Sequence, residues 1–380
     1  DAYNIAIGYE AGKEMTTGTL NTIIGGLAGD ALTSGGSNVA VGYLALSTED
    51  AHGRNVALGY QALLTQNAGA DAYNTAVGYQ AGAAVTTGIN NVLMGGNAGD
   101  SLSSGSYNVA IGHLALQAEN AHSGNVAVGY LALKTQDAGA DAYNVAVGFQ
   151  AGEHVSTAIE NVLIGGLAGD ALTTGVRNVA VGYEALTTED TYGGSTAVGY
   201  RALQDQNANA NPFNTAVGWE AGKNVSTGVN NTIIGGQTGD ALSTGSNNII
   251  IGFQAAASAV DAGNETVIGT TTTTSALVHG LKKPLYETAS NVATALPNSI
   301  YVFSDADGAT VTLPDSGSGA YVGATIEFVI KTLATSNSHK IILSDTTNEK
   351  FIGAVNTLDT DSDNAATFYT PATSNKAITM

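Results

Sequence analysis

Over roughly the first 270 residues the apolar and polar positions recur in one short phrase: an Asn, three apolar residues, a Gly and an aromatic, as in Asn38-Val39-Ala40-Val41-Gly42-Tyr43. The motif glycines run from Gly8 to Gly269 with spacings of 17, 17, 17 and 19 residues, a quartet that recurs as a 70-residue super-repeat. A fixed period this short predicts a β-solenoid with one coil per repeat, about 16 rungs in all. The three residues between Asn and Gly read as a strand, in which successive side chains point to opposite faces. Val39 and Val41 therefore share one face and Ala40 takes the other, and both faces are apolar.

One face fills the coil; the other leaves a stripe far longer than a soluble monomer tolerates. The stripe is expected on the middle column: Ala6, Ile23, Ala40, Ala57, Ala76, Leu93, Ala110, Ala127, Ala146, Leu163, Ala180, Ala197, Ala216, Ile233 and Ile250. Small Ala would let strands of identical chains approach closely, with Ile or Leu at every fourth rung filling the space. The open alternative is a single chain that covers both faces itself.

The residue after the motif Gly is aromatic at most rungs (Tyr43, Tyr60, Tyr79, His113, Tyr130, Phe149), with a Gly gap at every fourth, Gly26, Gly96, Gly166 and Gly236. Aromatics at the strand spacing of about 4.8 Å predict a stacking ladder; a sugar-binding track is the functional alternative. Two residues further on stands Ala, then either Gly with a later apolar residue (Gly82 with Val85) or Leu at once (Leu46, Leu63). Each rung thus supplies one large core side chain, as a packed coil requires. The motif Asn fits a turn position and a stacked amide ladder. The 19-residue spacings carry inserts such as Asp71-Ala72-Tyr73-Asn74.

The period breaks after Gly269 in a threonine run. The expected organisation is a solenoid shaft over 1–275, a neck or linker over 276–299, and a small antiparallel β-sandwich-like domain over 300–380. Alternating runs such as Ile300-Tyr301-Val302-Phe303 and Thr325-Ile326-Glu327-Phe328-Val329-Ile330, separated by turn clusters, carry that last reading. Loops around Asp315 to Ala320, Asn356 to Ala365 and Thr370 to Asn375 make this domain either a recognition module or a cap on the solenoid end.

A formal net charge of -20 with only 12% charged residues gives a surface made polar by Asn, Thr, Ser and Gln. There is no basic stripe for a phosphate backbone or an anionic membrane, so no nucleic-acid partner and no membrane insertion are expected. Zero cysteines exclude disulfides and thiolate metal sites. No apolar run approaches the roughly 20 residues a spanning helix needs. Asp1 already lies inside a repeat, so the chain is expected to begin within a longer fibre.

Candidate chemistry is sparse. His52, His113, His122, His154, His279 and His339 show no ligand spacing. Asp30, Asp100, Asp170 and Asp240 recur four rungs apart, about 19 Å, too far to share an ion within one chain. Calcium held between chains stays open for them. Asp359-Thr360-Asp361-Ser362-Asp363 lacks the Gly and the terminal Glu of a calcium loop. No catalytic constellation or phosphate loop stands out, so no enzyme, cofactor or metal is expected.

Two phrases resemble known repeats: Asn38-Val39-Ala40-Val41-Gly42-Tyr43-Leu44-Ala45-Leu46, and Asn74-Thr75-Ala76-Val77-Gly78-Tyr79-Gln80-Ala81-Gly82. The chain is similar over about residues 1–270 to the head repeats of trimeric autotransporter adhesins, and closer to related repeats of bacteriophage tail fibres. The resemblance implies a left-handed parallel β-roll, three chains around an axis, and a virion or extracellular location. Partners expected on that reading are the chain itself as a homotrimer, other virion proteins, and a host cell-surface glycan or protein receptor. The expected function is a structural virion fibre presenting host-attachment surfaces. A bacterial surface adhesin or extracellular filament of the same architecture is the alternative. An ice- or carbohydrate-binding solenoid and a glycan depolymerase have less in the sequence to support them.

Overall fold

The computed structural model describes residues 2–273 continuously and, beyond them, eight short strands between Leu285 and Thr379. The chain divides into two units, Asp1–Ala276 and Leu277–Met380.

In the first unit each coil contributes one three-residue strand, from β1 (Ile5–Ile7) to β16 (Thr266–Ile268). All sixteen form one sheet in chain order. Every neighbouring pair is parallel and pairs equivalent residues of the motif, Thr75 with Val92 and Ala76 with Leu93 for example. The unit is a parallel β-solenoid with no helix among its described residues. At about 4.8 Å per strand its sheet is about 72 Å long.

The strands are short because each coil turns through left-handed residues. In the third coil these are Ser37 (φ 61°), Leu44 (φ 57°) and Leu46 (φ 53°). The last of these corners is where the sequence alternates Gly with Leu, and it is left-handed in both cases: Gly12 has φ +57° and Leu63 φ 49°. A left-handed leucine costs on the order of 1–2 kcal/mol. Leu46, Leu63, Leu116, Leu133, Leu186 and Leu203 are fully buried, which returns about 2–3 kcal/mol each.

The middle strand residues prove to be the coil's own core, not a stripe between chains. Ile23, Ala40, Ala57, Ala76, Leu93, Ala110, Ala127, Ala146, Leu163, Ala180, Ala197, Ala216, Ile233 and Ile250 are all fully buried within one chain; Ala6, in the first coil, is exposed. Alternation says that neighbours point apart, not which of them points inward. Interior volume decides it. Where the strand offers Ala, the opposite wall can supply a large residue such as Leu46 or Leu63. Where it offers Leu93, the corners of that coil and of the one before are both glycine: a Cβ added at Gly82 would lie 2.5 Å from Leu93 Cδ1, and one at Gly99 2.9 Å from Leu93 Cδ2. Leu163 stands in the same way between Gly152 and Gly169. The four-rung super-repeat is thus a packing cycle.

The motif Asn side chains are buried and form the expected ladder. Each Oδ1 accepts the backbone N–H of the next motif residue, Asn21 from Asn38 at 2.9 Å and Asn91 from Asn108 at 2.9 Å. Most Nδ2 groups close a turn by donating to a backbone carbonyl, Asn21 to Gly35 O at 2.8 Å and Asn91 to Gly105 O at 2.9 Å, while those of Asn55 and Asn125 are buried without a partner. The left-handed angle belongs to the residue before the Asn. Ser195 interrupts the column: its N–H still donates to Asn178 Oδ1 at 3.0 Å, while its hydroxyl accepts from Gln206 Nε2 at 3.1 Å.

In the second unit β17 (Leu285–Thr288), β18 (Ser299–Phe303) and β20 (Ile326–Ile330) form a parallel three-stranded sheet. β19 (Thr310–Thr312) pairs parallel with β21 (Lys340–Ile342), which pairs antiparallel with β24 (Ala377–Thr379). β22 (Val355–Leu358) and β23 (Ala366–Tyr369) form an antiparallel pair. The antiparallel expectation is therefore corrected for β18 with β20 and for β19 with β21, and the expected neck holds a strand, β17, paired to β18. Alternating hydrophobicity marks a strand but does not say which way its neighbour runs. The neck expected over 276–299, apart from β17 and Ser299, and the loops at 315–320 and 370–375 lie outside the described residues, as does the run at 350–353.

An apolar face bordered by aromatics as the candidate functional site

With the middle column inside, the first and third strand residues face outward. Among the described residues, every exposed large hydrophobic except Val260 stands in one of four columns: the residue before the motif Asn, these two strand positions, and the residue after the motif Gly. The two strand columns hold only Val, Ile, Leu, Met and Thr from β1 to β16, with no charge in a chain whose net charge is -20. Leu58, Met94 and Ile164 are 38–39% exposed there. Six residues separate the bordering columns, about 20 Å, so the face covers on the order of 1,400 Å². Its two strand columns run uncharged along the whole sheet, a continuous apolar strip of the kind that marks an interaction surface. The sequence had indicated such a stripe and placed it one residue away.

On one border the aromatics stack as expected, but in threes. Tyr43, Tyr60 and Tyr79 have centroids 5.7 and 5.2 Å apart; His113, Tyr130 and Phe149, 5.8 and 5.4 Å; Tyr183, Tyr200 and Trp219, 5.8 and 6.1 Å. Each set ends at a glycine of the same column. The other border carries Tyr3, Tyr73, Tyr107, Tyr143 and Phe213, all exposed. In the sequence Tyr73, Tyr143 and Phe213 lie within the inserts, and their 70-residue spacing is what aligns them in a column. Tyr73 is held by a hydrogen bond from Arg54 Nη1, with the guanidinium 5.2 Å from the ring centroid.

Away from this face carboxylates and histidines gather, within one turn in the first of three groups and from neighbouring coils in the other two. Glu49, Asp50 and His52; Glu119, His122 and Asp137; and Glu153, His154 and Asp170 each bring three potential ligand atoms within 4.8 Å. Sequence spacing missed the last two groups because coil stacking, not a local motif, joins them. Glu119 Oε1 already serves the turn, accepting from the N–H groups of Asn120 at 3.1 Å and His122 at 3.0 Å, with His122 Nδ1 at 3.0 Å. Glu49 likewise accepts the N–H of His52 at 3.1 Å, so the first two groups act first as turn closures. Asp240 Oδ1 accepts from Asn224 Nδ2 at 2.8 Å, and Asp170 Oδ1 lies 3.3 Å from His154 Nδ1.

Burial raises the pKa of six carboxyls of the shaft, two per super-repeat: Asp30, Asp100 and Asp170, and Glu49, Glu119 and Glu189, the three glutamates fully buried. A carboxyl whose folded pKa exceeds its unfolded value makes the folded state bind more protons, so its burial cost is greatest at neutral pH and is relieved as pH falls. Shaft stability is expected to rise from pH 7 towards the ordinary carboxyl range near 4. Glu119→Gln should raise Tm by a few degrees at pH 7 and leave it unchanged near pH 4. Melting curves at the two pH values check this; an equal shift at both would mean that ionisation of Glu119 carries no cost.

No helix among the described residues is long and apolar enough to cross a membrane. No family model matches the chain, and no curated protein or solved structure matches it.

Proposed function

We propose that the chain is a structural fibre protein of a virion, a stiff shaft with an appended domain that serves host attachment, and that three copies pack their apolar faces around a common axis. The observation that carries this reading is the uncharged face from β1 to β16, which only another apolar surface can cover. Three identical chains supply that surface without a different partner. The fibre repeats that the period resembles imply the number three. Stiffness follows from one hydrogen-bonded sheet running through every coil, and attachment from many weak contacts acting together.

Light scattering on the full chain should give about three times the 38.1 kDa chain mass. Ile164→Asp, on the outward face, should give a folded monomer, whereas Thr174→Asp at an exposed turn should leave the trimer intact. A monomeric wild-type chain overturns the assembly reading. Attachment is tested separately, by binding of the labelled full chain to bacterial cells and by competition with virions for adsorption.

A further inference from the structure

The two borders of the apolar face carry matched irregularities. On one border the aromatic column is broken once per super-repeat, at Gly26, Gly96, Gly166 and Gly236. On the other, only one coil per super-repeat is aromatic throughout, with Tyr3, Tyr73, Tyr143 and Phe213. The four gaps match these four rings, both repeat every 70 residues, and each gap lies one coil beyond its ring; Tyr107, a fifth ring on that border, stands outside the pattern.

The gaps are open. The ring before a gap is more exposed than the rings stacked beneath it: Tyr79 is 56% exposed, against 48% for Tyr43 and 42% for Tyr60. The ring after the gap leans over the glycine: a Cβ built on Gly96 would meet His113 Cδ2 at 3.2 Å, and one on Gly166 would meet Tyr183 Cδ2 at 3.3 Å. Each gap is a slot with a free ring face on one side, a glycine floor and a second ring beyond. On the far border Tyr73 lies against Arg54, and Tyr143 and Phe213 pack down on glycines. A Cβ at Gly124 would fall 2.7 Å from Tyr143 Cδ1, and one at Gly194 2.7 Å from Phe213 Cδ1. Tyr143 and Phe213 are therefore each supported from the side of the preceding coil.

In a closed ring of parallel copies, one border of each chain meets the opposite border of the next. Resting on the assembly reading above, we infer that Tyr73, Tyr143 and Phe213 of one copy seat in the gaps at Gly96, Gly166 and Gly236 of its neighbour, and Tyr3 at Gly26. The occupant of each slot is a second copy of this chain. An offset of one coil is about 4.8 Å across a face about 20 Å wide, an inclination of roughly 14°. That is within the roughly 30° at which stacked sheets pack. The seating gives the super-repeat a second role. Flat, regular strands slip in register easily; in the seated register Tyr107 alone meets a ring, Tyr130, whereas copies displaced by one, two or three coils would set Tyr73 and Tyr143 against rings as well. The next match is a full super-repeat away.

The absence of cysteine makes the test direct. Tyr143→Cys combined with Gly166→Cys places two thiols about 20 Å apart within one chain, beyond the roughly 7 Å Cα separation that a disulfide can span. A disulfide between them must therefore join two copies. Oxidation of the full-length double variant should give covalent trimers on a non-reducing gel, at least tenfold more than Tyr143→Cys combined with Tyr130→Cys or with Tyr183→Cys. A trimer by light scattering that cross-links no better than these pairs overturns the seating and leaves the assembly intact. A monomeric wild type overturns both. Trp219, the single tryptophan, is the ring before the Gly236 gap and reports independently. Phe213→Ala should shift its emission to the red with the trimer mass unchanged, and an unchanged spectrum counts against the seating. An oligosaccharide that shifts Trp219 emission in the assembled wild type would show the slots open to sugar instead, and overturn the inference.

Discussion

Gly95→Ala is expected to unfold the middle of the shaft. Gly95 has φ +135°, a region closed to side chains, and a Cβ there would lie 2.5 Å from Gly112 O and 2.6 Å from its carbonyl carbon. The obstruction is the backbone of the next coil, so no rotamer relieves it. The fifteen motif glycines from Gly8 to Gly252 share this geometry, with φ between +129° and +145°. A coil displaced at Gly95 therefore loses its strand bonds to both neighbours. Backbone strain alone costs on the order of 1–3 kcal/mol, and the clash adds to it. Because each coil contacts only its neighbours, the defect should divide the shaft rather than lower its stability evenly. Gly69→Ala is the control: Gly69 also has positive φ, +69°, but nothing lies within 4 Å of its added Cβ. It should cost about 1 kcal/mol. Thermal melts followed by circular dichroism, with limited proteolysis, separate the two. Equal losses would mean that the glycine column is set by backbone angle alone and not by the stacking of coils.

The legible and the illegible parts of this chain divide along physical lines. Coil number and strand position could be read because Gly8 to Gly269 mark the corners, and backbone stacking tolerates nothing larger in most of those positions. The Asn ladder could be read because a buried amide must repeat its partners from coil to coil. The inward side of the strand could not be read, since Val39, Ala40 and Val41 are all apolar and only the summed volume with Leu46 or Leu93 places Ala inside. The left-handed leucines were invisible for a related reason: propensity assigns that conformation to Gly and Asn, while burial of Leu46 outweighs its strain. Pairings such as His154 with Asp170 and Tyr143 over Gly124 depend on which residues share a column, and a two-residue insert in every fourth coil hides that. In the second unit, strand positions were legible and strand directions were not.

Leu163→Asp and Ile164→Asp, adjacent in sequence, should fail in opposite ways. Leu163 is fully buried in the coil and Ile164 is 38% exposed on the apolar face. Truncating a buried leucine costs about 2–5 kcal/mol, and burying a carboxylate with no partner adds several more. The pocket lining Leu163 is apolar: glycines flank it at Gly152 and Gly169, and Leu133 and Leu172 contact the same corners. The coils of β9 (Val145–Val147), β10 (Val162–Ile164) and β11 (Val179–Val181) should therefore separate. The expected result is loss of β-sheet signal, with proteolytic cleavage around residues 145–181. Partial recovery at low pH, where the carboxyl is neutral, should accompany it. Ile164→Asp should keep the sheet signal and protease resistance and lose only the partners. If Leu163→Asp instead leaves a folded monomer, the middle column faces outward and the placement of the core is wrong.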